Sequence, residues 1–417
     1  MSLTIRILLA LIAGLAVGIG LSEWGGPIDA PIIDIAAPIG KAWLNGLQMP
    51  LIPLIFALLV TGIVQAANSA RSNGLAARAI IIFAVLLVAS AAVAALLGTA
   101  FLHWWPVPAG AVDALAIVGK PVNEVGDVRP SAEWLLGFIP VNPIKTAADG
   151  QVVGVVLFAL AFGFALARIG LELRDKLFAI LSALVETLMI IVGWVLKLAP
   201  IGVFALALVA GSRSGLSTAG ALLHYISMIV ITCVVVTLLV YPMAIILGRV
   251  APMRFIRAVL PPQAIAFSTQ SSIASLPAMI EACDDALEIR PEVRSIVLPL
   301  AISLFRITSP AANMGVAIYV AAMHGVPLGP GTLVVGVLVA ALVSLAAVGL
   351  PGQITYFTTI GPICLAMGVP VDVLPLLLAV ETVPDIFRTV GNVTADVAVT
   401  RILDVRAPKA GAGSGAA

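Results

Sequence analysis

Five polar or charged side chains recur along the last apolar stretch of the chain, residues 373–402. Their spacings of four, three, four and four residues place them on one face of an α-helix, at about 100° per residue. A charge at the centre of a membrane helix costs roughly 2.5 to 3.5 kcal/mol, so four facing lipid would cost about 10 kcal/mol. The pattern therefore predicts a polar site that faces protein or water inside a membrane protein. The five are Glu381, Asp385, Arg388, Asn392 and Asp396.

The composition is that of a polytopic membrane protein. Of 417 residues, 61% are hydrophobic and only 10% are charged, whereas a soluble domain has about 25% charged residues. A net charge of +1 without a basic tail excludes a nucleic-acid-binding protein. The three cysteines lie too far apart for a disulfide framework or a metal-ligand spacing, and we expect them to be small buried hydrophobes. They are Cys233, Cys283 and Cys364.

The apolar segments predict an all-α fold of eight transmembrane helices plus two re-entrant helical hairpins. Six segments are uninterrupted: 4–22, 48–68, 79–102, 152–170, 178–211 and 217–248. Four are broken by Pro, Gly and Ser clusters: 256–281, 296–322, 331–368 and 373–402. Broken apolar segments are typical of transporter hairpins and discontinuous helices around a midplane site. We interpret the first segment as a membrane helix rather than a signal peptide, and the Gly/Ala-rich tail 407–417 as disordered.

The distribution of basic residues predicts that both termini are cytoplasmic, in a bacterial-type inner membrane. Hairpin 256–281 then enters from the cytoplasm and hairpin 331–368 from outside. The inner loops hold Arg71, Arg78, Arg168, Arg174, Lys176, Arg249, Arg254, Arg257, Arg290, Arg294, Arg401, Arg406 and Lys409. The outer loops hold mainly Lys120, Arg129 and Arg213. We expect interfacial positions for the three histidines, His103, His224 and His324.

The two hairpin tips carry candidate binding elements. Residues 268–277 combine small hydroxyl side chains with a Leu-Pro helix start, which predicts backbone N–H groups free to bind a carboxylate; an ordinary Ser-rich loop is the alternative. The sequence Gly349-Leu350-Pro351-Gly352 breaks a helix and permits positive φ. It is either a mobile lid tip or a simple loop between two spans.

These motifs resemble those of glutamate-transporter homologues, in the dicarboxylate/amino-acid:cation symporter family. Residues 385–396 read D-I-F-R-T-V-G-N-V-T-A-D, where the family pattern is D-x-G-R-T-x-x-N-x-x-G-D. Both hairpin tips resemble those of the family, as do residues 142–151 and 199–205. The resemblance covers nearly the whole chain.

The resemblance implies a site for an acidic amino acid, L-aspartate or L-glutamate. Arg388 would pair with the side-chain carboxylate, a task that suits a planar bidentate donor, and Asp385 would take the ammonium group. The alternative for these two residues is a structural salt bridge inside the membrane. The implied substrate-binding residues are Ser271, Ser272, Ser309, Gly352, Asp385, Arg388, Thr389 and Asn392.

The chain departs from the family at a cation site. Where the family has Asn-Met-Asp-Gly-Thr, a gapless alignment places Phe305 and Ile307 at the Asn and Asp positions, and neither is an oxygen ligand. The family's Tyr and Thr-Ser ligands on the third span align with Val85, Val88 and Ala89. We interpret this as the loss of one sodium site from two separate spans.

Arg306 takes the place of the motif Met, and we hypothesise that its fixed charge substitutes for a bound Na⁺ near Asp396; a snorkelling or structural Arg is the alternative. The coupling ion is then H⁺ or a remaining Na⁺, and we expect no cofactor and assign no certain metal site. The predicted cation-coupling residues are Arg306, Thr308, Glu381, Asn392 and Asp396.

The sequence therefore predicts a secondary active symporter, not an enzyme, for a small anionic substrate. Residues 1–406 would form one transporter domain in contact with membrane lipid, and the resemblance implies a homotrimer. Its scaffold would comprise residues 1–70 and 130–213, and its transport unit 79–102 and 217–406. Three alternatives remain open: a C4-dicarboxylate:cation symporter, an anion channel, and a ligand sensor that no longer transports.

Overall fold

The computed structural model describes residues 3–24, 29–72, 74–108, 139–214, 216–346 and 352–406. Within these ranges all regular elements are helical, as predicted for an all-α membrane protein. The predicted disordered tail and the second hairpin tip, Gly349–Pro351, lie outside the described residues. Lys120 and Arg129, which were predicted to lie in outer loops, are outside them as well.

Five stretches of the described residues are long and apolar enough to cross a membrane. They are Pro31–Asn68, Gly74–Trp104, Leu171–Lys197, Ala219–Leu247 and Pro291–Met323. Shorter apolar helices accompany them, as expected where spans are interrupted. The count of eight spans plus two hairpins stays a prediction.

The N-terminal third contains a helix that the prediction omitted. The first four helices are α1 (Leu3–Trp24), α2 (Asp29–Gln48), α3 (Leu51–Ser72) and α4 (Gly74–Trp104). The apolar segment 48–68 matches α3, but α2 precedes it and a two-residue turn at Met49 and Pro50 separates the two helices. Asp29, Asp34 and Lys41 interrupt the apolar run along α2, and a search for uninterrupted apolar segments therefore passes over it.

In the middle of the chain, one segment that was predicted to be continuous forms two helices. It forms α5 (Pro143–Ala148), α6 (Val152–Leu166), α7 (Leu171–Lys197) and α8 (Ala199–Ser214). The prediction of one span over 178–211 is wrong, because a break at Leu198 separates α7 from α8. Pro200 lies in the first turn of α8, where its missing N–H costs no helical hydrogen bond.

Helices α1 and α8 approach each other closely through glycines. A Cβ on Gly14 would lie 2.6 Å from the carbonyl oxygen of Phe204, and one on Gly211 would lie 2.9 Å from that of Leu15. Contacts this short exclude any larger side chain. Small residues let helix backbones pack closely in membranes, where the hydrophobic effect does not drive association.

The C-terminal half surrounds its last helix with the other elements. It forms α9 (Leu216–Leu247), α10 (Pro252–Thr269), α11 (Leu276–Glu281), a π-helical turn (Ala282–Ala286), α12 (Pro291–Leu304), α13 (Thr308–Met323), α14 (Pro330–Ala346), α15 (Gly352–Ala366), α16 (Leu374–Leu378) and α17 (Thr382–Arg406). Helices α9, α10, α12 and α13 all contact α17. The arms of the first predicted hairpin are α10 and α11, and those of the second are α14 and α15.

Basic residues predicted to be cytoplasmic lie together at one end of this half. The Arg290 Nε atom lies 2.8 Å from an Asp404 carboxylate oxygen, and Arg401 Nε donates to the Gly248 carbonyl oxygen at 3.1 Å. Arg254 donates to the Ala286 carbonyl oxygen at 2.6 Å. These bonds join the end of α17 to the end of α9 and to the start of α12, and they join α10 to the π-helical turn.

The three histidines differ in their exposure, while their position at the membrane interface stays a prediction. His224 is buried, 2% exposed, with Nε2 at 3.0 Å from the Trp105 carbonyl oxygen and Nδ1 at 3.3 Å from the Tyr319 hydroxyl. The chain that follows α4 covers it, which a hydropathy pattern cannot predict. His103 is exposed at the end of α4.

His324, just beyond the end of α13, forms an ion pair with Asp372 in the turn before α16, with 3.3 Å between Nε2 and Oδ1. Burial alone would lower the pKa of His324, but the hydrogen bond and negative charge of Asp372 outweigh it and raise the pKa above its usual value. The pair's stabilisation is therefore complete below the unfolded pKa of about 6.5 and is lost as the pH rises through the folded pKa.

We expect His324→Gln to lower the melting temperature in detergent more at about pH 5.5 than at about pH 9, because only protonated His324 gains from Asp372. Thermal unfolding followed by tryptophan fluorescence measures the difference. His103→Gln, at an exposed position, is the matched control and should change little. An equal loss at both pH values would contradict the ion-pair explanation.

Candidate functional site

Arg388 lies at the centre of the polar face of α17, in a buried position. Its NH2 atom is 2.6 Å from Glu381 Oε1, with side-chain exposures of 7% and 1%. Its NH1 atom donates to Asn313 Oδ1 on α13 at 3.3 Å. Glu381 precedes the first residue of α17, but the Asp385 N–H donates to its carbonyl oxygen at 2.9 Å, so the helical register continues through it.

Two tyrosines complete the surroundings of Glu381. The Tyr225 hydroxyl, from α9, donates to Glu381 Oε2 at 3.2 Å. It also lies 3.1 Å from the Tyr356 hydroxyl of α15, and either of the two can be the donor. The Glu381 carboxylate thus contacts a guanidinium at Oε1 and the Tyr225 hydroxyl at Oε2, and Tyr225 connects it to the Tyr356 hydroxyl.

The break between α12 and α13 is fixed to α17 by Thr308. The Thr308 N–H donates to Asn392 Oδ1 at 3.0 Å. Its hydroxyl lies 2.7 Å from the same oxygen and 2.6 Å from the Arg388 carbonyl oxygen, and its single proton serves one of them at a time. The helices approach closely here, because a Cβ on Gly391 would collide with Thr308 and with Thr237 of α9.

Arg306 lies inside this break and is only partly buried. Its charge interacts with those of Asp396 and Asp385, without a direct ion pair among the described residues. Asp396 is 1% exposed, and its Oδ1 atom has no hydrogen-bond partner in the described part of the chain. A buried carboxylate oxygen of this kind is suited to accept a proton, a cation or a donor group.

The predicted register of the third span, α4, is wrong. Val85 is 61% exposed, Val88 is 37% exposed, and Ala89 is exposed as well, so all three point away from the break. The residues of α4 that contact the break are Phe83, which stacks on Phe305 with 4.8 Å between ring centroids, and Ser90, which donates to the Ile307 carbonyl oxygen at 2.6 Å. A shift of one residue in an alignment rotates the assigned positions by about 100° around a helix, which is enough to move them off the inner face.

Several buried polar atoms around Arg388 lack hydrogen-bond partners in the described part of the chain. They are Nε and NH2 of Arg388, Nδ2 of Asn313, Oε1 of Glu381 and Oδ1 of Asp396. The contact between Arg388 and Glu381 is close, but its angle is unsuited to a hydrogen bond. An unsatisfied buried polar group costs about 1–3 kcal/mol, and a cluster of donors and acceptors is therefore able to bind a small polar ligand.

The remaining predicted site residues lie on three different helices, α17, α13 and α15. Thr389 is buried one residue further along α17, with its hydroxyl bonded to the Asp385 carbonyl oxygen at 2.8 Å. Asp385 is partly buried one turn before it. Ser309 is buried in the first turn of α13, next to Thr308. Gly352 is the first residue of α15.

The serines of the first hairpin tip are not hydrogen-bonded to α17 among the described residues. Ser271 and Ser272 are partly buried. The N–H of Ala274 donates to Ser271 Oγ at 3.2 Å, and that of Ser275 donates to the Ser271 carbonyl oxygen at 3.2 Å. The expectation of a row of free N–H groups is therefore too simple, because the tip satisfies several of them internally.

The sequence interpretation missed Tyr225, Tyr356 and Asn313. The chain has only four tyrosines, and those at 225, 319 and 356 are all buried. A buried tyrosine needs a partner for its hydroxyl, so tyrosines inside apolar segments were an available signal. Asn313 offered a similar signal, as an amide in the middle of an apolar helix.

The ionisable groups of the site are suited to bind a charged ligand and a cation that balances its charge. Three carboxylates, of Glu381, Asp385 and Asp396, accompany the two guanidiniums of Arg306 and Arg388, which leaves one uncompensated negative charge when all five are ionised. Within the described residues no group of three or more His, Cys, Asp or Glu side chains is arranged to hold a metal ion.

Comparison with known proteins gives a consistent set of matches. The model of the sodium:dicarboxylate symporter family matches residues 3–405. The proton/glutamate-aspartate symporter of Escherichia coli is 24% identical over 96% of this chain and 92% of its own length. The C4-dicarboxylate transport protein of Deinococcus radiodurans is 25% identical over 96% and 89%, and the human neutral amino acid transporter B(0) is 26% identical over 94% and 78%.

We expect Thr308→Val to destabilise the protein by about 1–3 kcal/mol, because the nearly isosteric change removes the hydroxyl that joins the helix break to α17. Thermal unfolding in detergent measures the loss. Thr232→Val is the matched control, since this buried hydroxyl bonds only to Met228 within its own helix, at 2.8 Å. Equal losses in both variants would contradict a special role of the Thr308 hydroxyl.

Proposed function

The chain belongs to the sodium:dicarboxylate symporter family, and on that premise we propose that it is a secondary active symporter for L-aspartate or L-glutamate. The family carries dicarboxylates or amino acids together with cations, so a small substrate, a coupling ion and a membrane location follow from membership. The specific substrate, the coupling ion and the residues that bind them are the content of the proposal.

The observation that carries the proposal is that Arg388 and Asp385 lie one turn apart on the same inward-facing side of α17. Nε of Arg388 has no hydrogen-bond partner in the described part of the chain, and NH2 beside it is in contact with Glu381. The edge that these two atoms form can bind a carboxylate at two points once Glu381 leaves it. Asp385, one turn away, offers an acceptor for an ammonium group. Thr389 and Asn392 on the same helix, Ser309 and Gly352 beside it, and the hairpin serines Ser271 and Ser272 complete the proposed set.

A C4-dicarboxylate is the second candidate, since the relative from Deinococcus radiodurans is named as a C4-dicarboxylate transport protein. Such a substrate has no ammonium group, and Asp385 would then add an unfavourable negative charge beside it. A neutral amino acid would leave Arg388 without a side-chain carboxylate. The charges of the site thus favour an acidic amino acid.

The charge balance determines how many cations the site requires. With one uncompensated negative charge when empty, the site becomes doubly negative when a substrate of charge −1 enters. Neutrality then needs two monovalent cations or protons, at groups drawn from Thr308, Glu381, Asn392 and Asp396. The Escherichia coli relative is named as a proton symporter, and we propose protons as at least part of the coupling.

Arg306 is proposed to replace one coupling sodium ion. Its guanidinium interacts with the charge of Asp396, and an Arg keeps its proton at all physiological pH values. This support comes from Arg306 itself and from the apolar residues Phe305 and Ile307 in the helix break. The register of α4 no longer contributes to it.

The remaining architecture is proposed from the family. Residues 1–70 and 130–213 would form the scaffold of a homotrimer, with both termini cytoplasmic in a bacterial-type inner membrane. Residues 79–102 and 217–406 would move as a transport unit, largely as a rigid body.

We expect proteoliposomes with the purified protein to accumulate labelled L-aspartate when an inward proton gradient is imposed. Excess L-glutamate should compete better than succinate. Saturable exchange identifies a carrier, whereas single-channel current without exchange would identify an anion channel. Binding without uptake would identify a sensor.

Arg388→Lys should reduce the affinity for L-aspartate about 10- to 100-fold, because an ammonium group cannot replace a bidentate guanidinium. The matched control is Arg174→Lys, a buried arginine on α7 outside the proposed site, which should retain uptake. Unchanged affinity in Arg388→Lys would remove the main support for the proposed binding mode.

Arg306→Met tests the replacement of sodium. If the guanidinium occupies the electrostatic place of Na⁺, its removal should make uptake depend on sodium, or increase an existing dependence. Uptake measured across a series of sodium concentrations, at constant ionic strength, gives the answer. The same ion dependence before and after the change would refute the idea.

A further inference from the structure

Glu381 occupies the position next to Arg388 that a substrate carboxylate would need. Its Oε1 atom is 2.6 Å from Arg388 NH2, and both side chains are almost completely buried. Building on the proposed function, we propose that Glu381 is a built-in competitor of the substrate. It occupies Arg388 in the empty site, and it releases Arg388 and takes up one proton when the substrate carboxylate binds.

The arrangement of donors on Arg388 makes the two carboxylates alternatives. NH1 is directed to Asn313 Oδ1 at 3.3 Å, which leaves the edge formed by Nε and NH2 for a bidentate partner. Glu381 contacts this edge at NH2 alone and without hydrogen-bond geometry, and Nε has no partner in the described part of the chain. A substrate carboxylate that took both atoms would have to displace Glu381 from NH2.

Displacement would leave the charge of Glu381 without its cation. Breaking one side of a buried ion pair leaves an uncompensated charge in a medium of low dielectric constant, which is strongly unfavourable. The substrate brings a further carboxylate to the same place, and Asp385 lies one turn away. The two like charges beside Glu381 increase the cost further, so binding is favourable only if Glu381 becomes neutral.

The phenol pair of Tyr225 and Tyr356 is arranged to hold the neutral form. A protonated Glu381 can donate its new O–H to the Tyr225 oxygen, while Tyr225 turns its own proton to the Tyr356 hydroxyl 3.1 Å away. The ionised form instead accepts from Tyr225 at 3.2 Å, as the structure has it. Hydroxyl groups serve both forms because each can donate or accept.

The surroundings of Glu381 favour a proton over a metal ion. The charged and titratable groups that interact with it are Arg388 and Asp385 on α17, Tyr225 and Cys233 on α9, and Tyr356 on α15. Hard metal cations take about six or more oxygen ligands. Among the described residues, the hydrogen-bond partner of Glu381 Oε2 is the Tyr225 hydroxyl, with the Tyr356 hydroxyl behind it, and one proton is the occupant that suits this arrangement.

The test is Glu381→Gln in the full-length protein, with L-aspartate binding measured calorimetrically between about pH 5.5 and pH 8.5. With one proton taken up per substrate, affinity in the parent protein should fall about tenfold per pH unit at the alkaline end. Glu381→Gln should bind more tightly there, with a weak pH dependence and one proton fewer taken up in weakly buffered solution. The same proton uptake in Glu381→Gln and the parent would overturn the proposal.

Three comparisons keep the result interpretable. Glu292→Gln, at an exposed position at the start of α12, is the matched control and should bind like the parent protein. Tyr225→Phe keeps the ion pair but removes a donor to the ionised Glu381, and should therefore shift the onset of the fall in affinity towards higher pH. If Glu381→Gln does not fold, the proton uptake of Tyr225→Phe decides, and a pH dependence identical to that of the parent overturns the proposal.

The outcome also separates this inference from the proposed function. A parent protein that binds neither L-aspartate nor succinate would refute the proposed function. A parent protein that binds L-aspartate with the same affinity at every pH would refute only the competition by Glu381.

Discussion

The need to compensate the buried charge of Arg388 shapes the polar centre of the protein. A guanidinium 6% exposed inside a membrane protein must have partners, since neither lipid nor bulk water supplies them. Glu381 supplies a charge from the turn before α17, and Asn313 supplies a carbonyl oxygen from α13. The Arg388 main chain meets Thr308 at the helix break. Arg388 thereby contacts the turn before α17, helix α13 and the helix break, and the inward-facing sides of these elements meet around it.

The same need for partners of buried polar groups explains how the helix break between α12 and α13 is stable beside Arg388. The residues between α12 and α13 have backbone groups that a continuous helix would satisfy, and at membrane depth an unsatisfied group is costly. The Phe305 N–H donates to the Ala301 carbonyl oxygen at 2.7 Å, and the Ser309 N–H donates to that of Arg306 at 3.0 Å. The Ser90 hydroxyl donates to the Ile307 carbonyl oxygen, and the Thr308 N–H donates to Asn392 Oδ1. The break is thus a bonded junction of α4, α12, α13 and α17.

Sequence reasoning identified the helical face of α17 because the cost of charges in an apolar segment is a strong, local signal. It found Arg388, Asn392 and Asp396 on one helix, and the structure keeps that face turned inward. It missed Tyr225 and Asn313, whose roles depend on contacts across 156 and 75 residues of sequence. Such contacts depend on how helices pack, and one sequence contains no measure of that. The register of α4 failed because its composition is apolar on every side.

The role proposed for Arg306 follows from the movement of charge across the membrane that the proposed cycle requires. A transport unit that crosses the membrane with uncompensated charge works against the membrane potential, at about 2.3 kcal/mol per charge for each 100 mV. Without Arg306, three carboxylates and Arg388 would leave two negative charges in the empty site; with Arg306, one remains. A proton on any one carboxylate then makes the empty unit neutral. In the proposed cycle, a fixed Arg would therefore let the empty carrier return with a single exchangeable cation, and one ion fewer would drive each cycle.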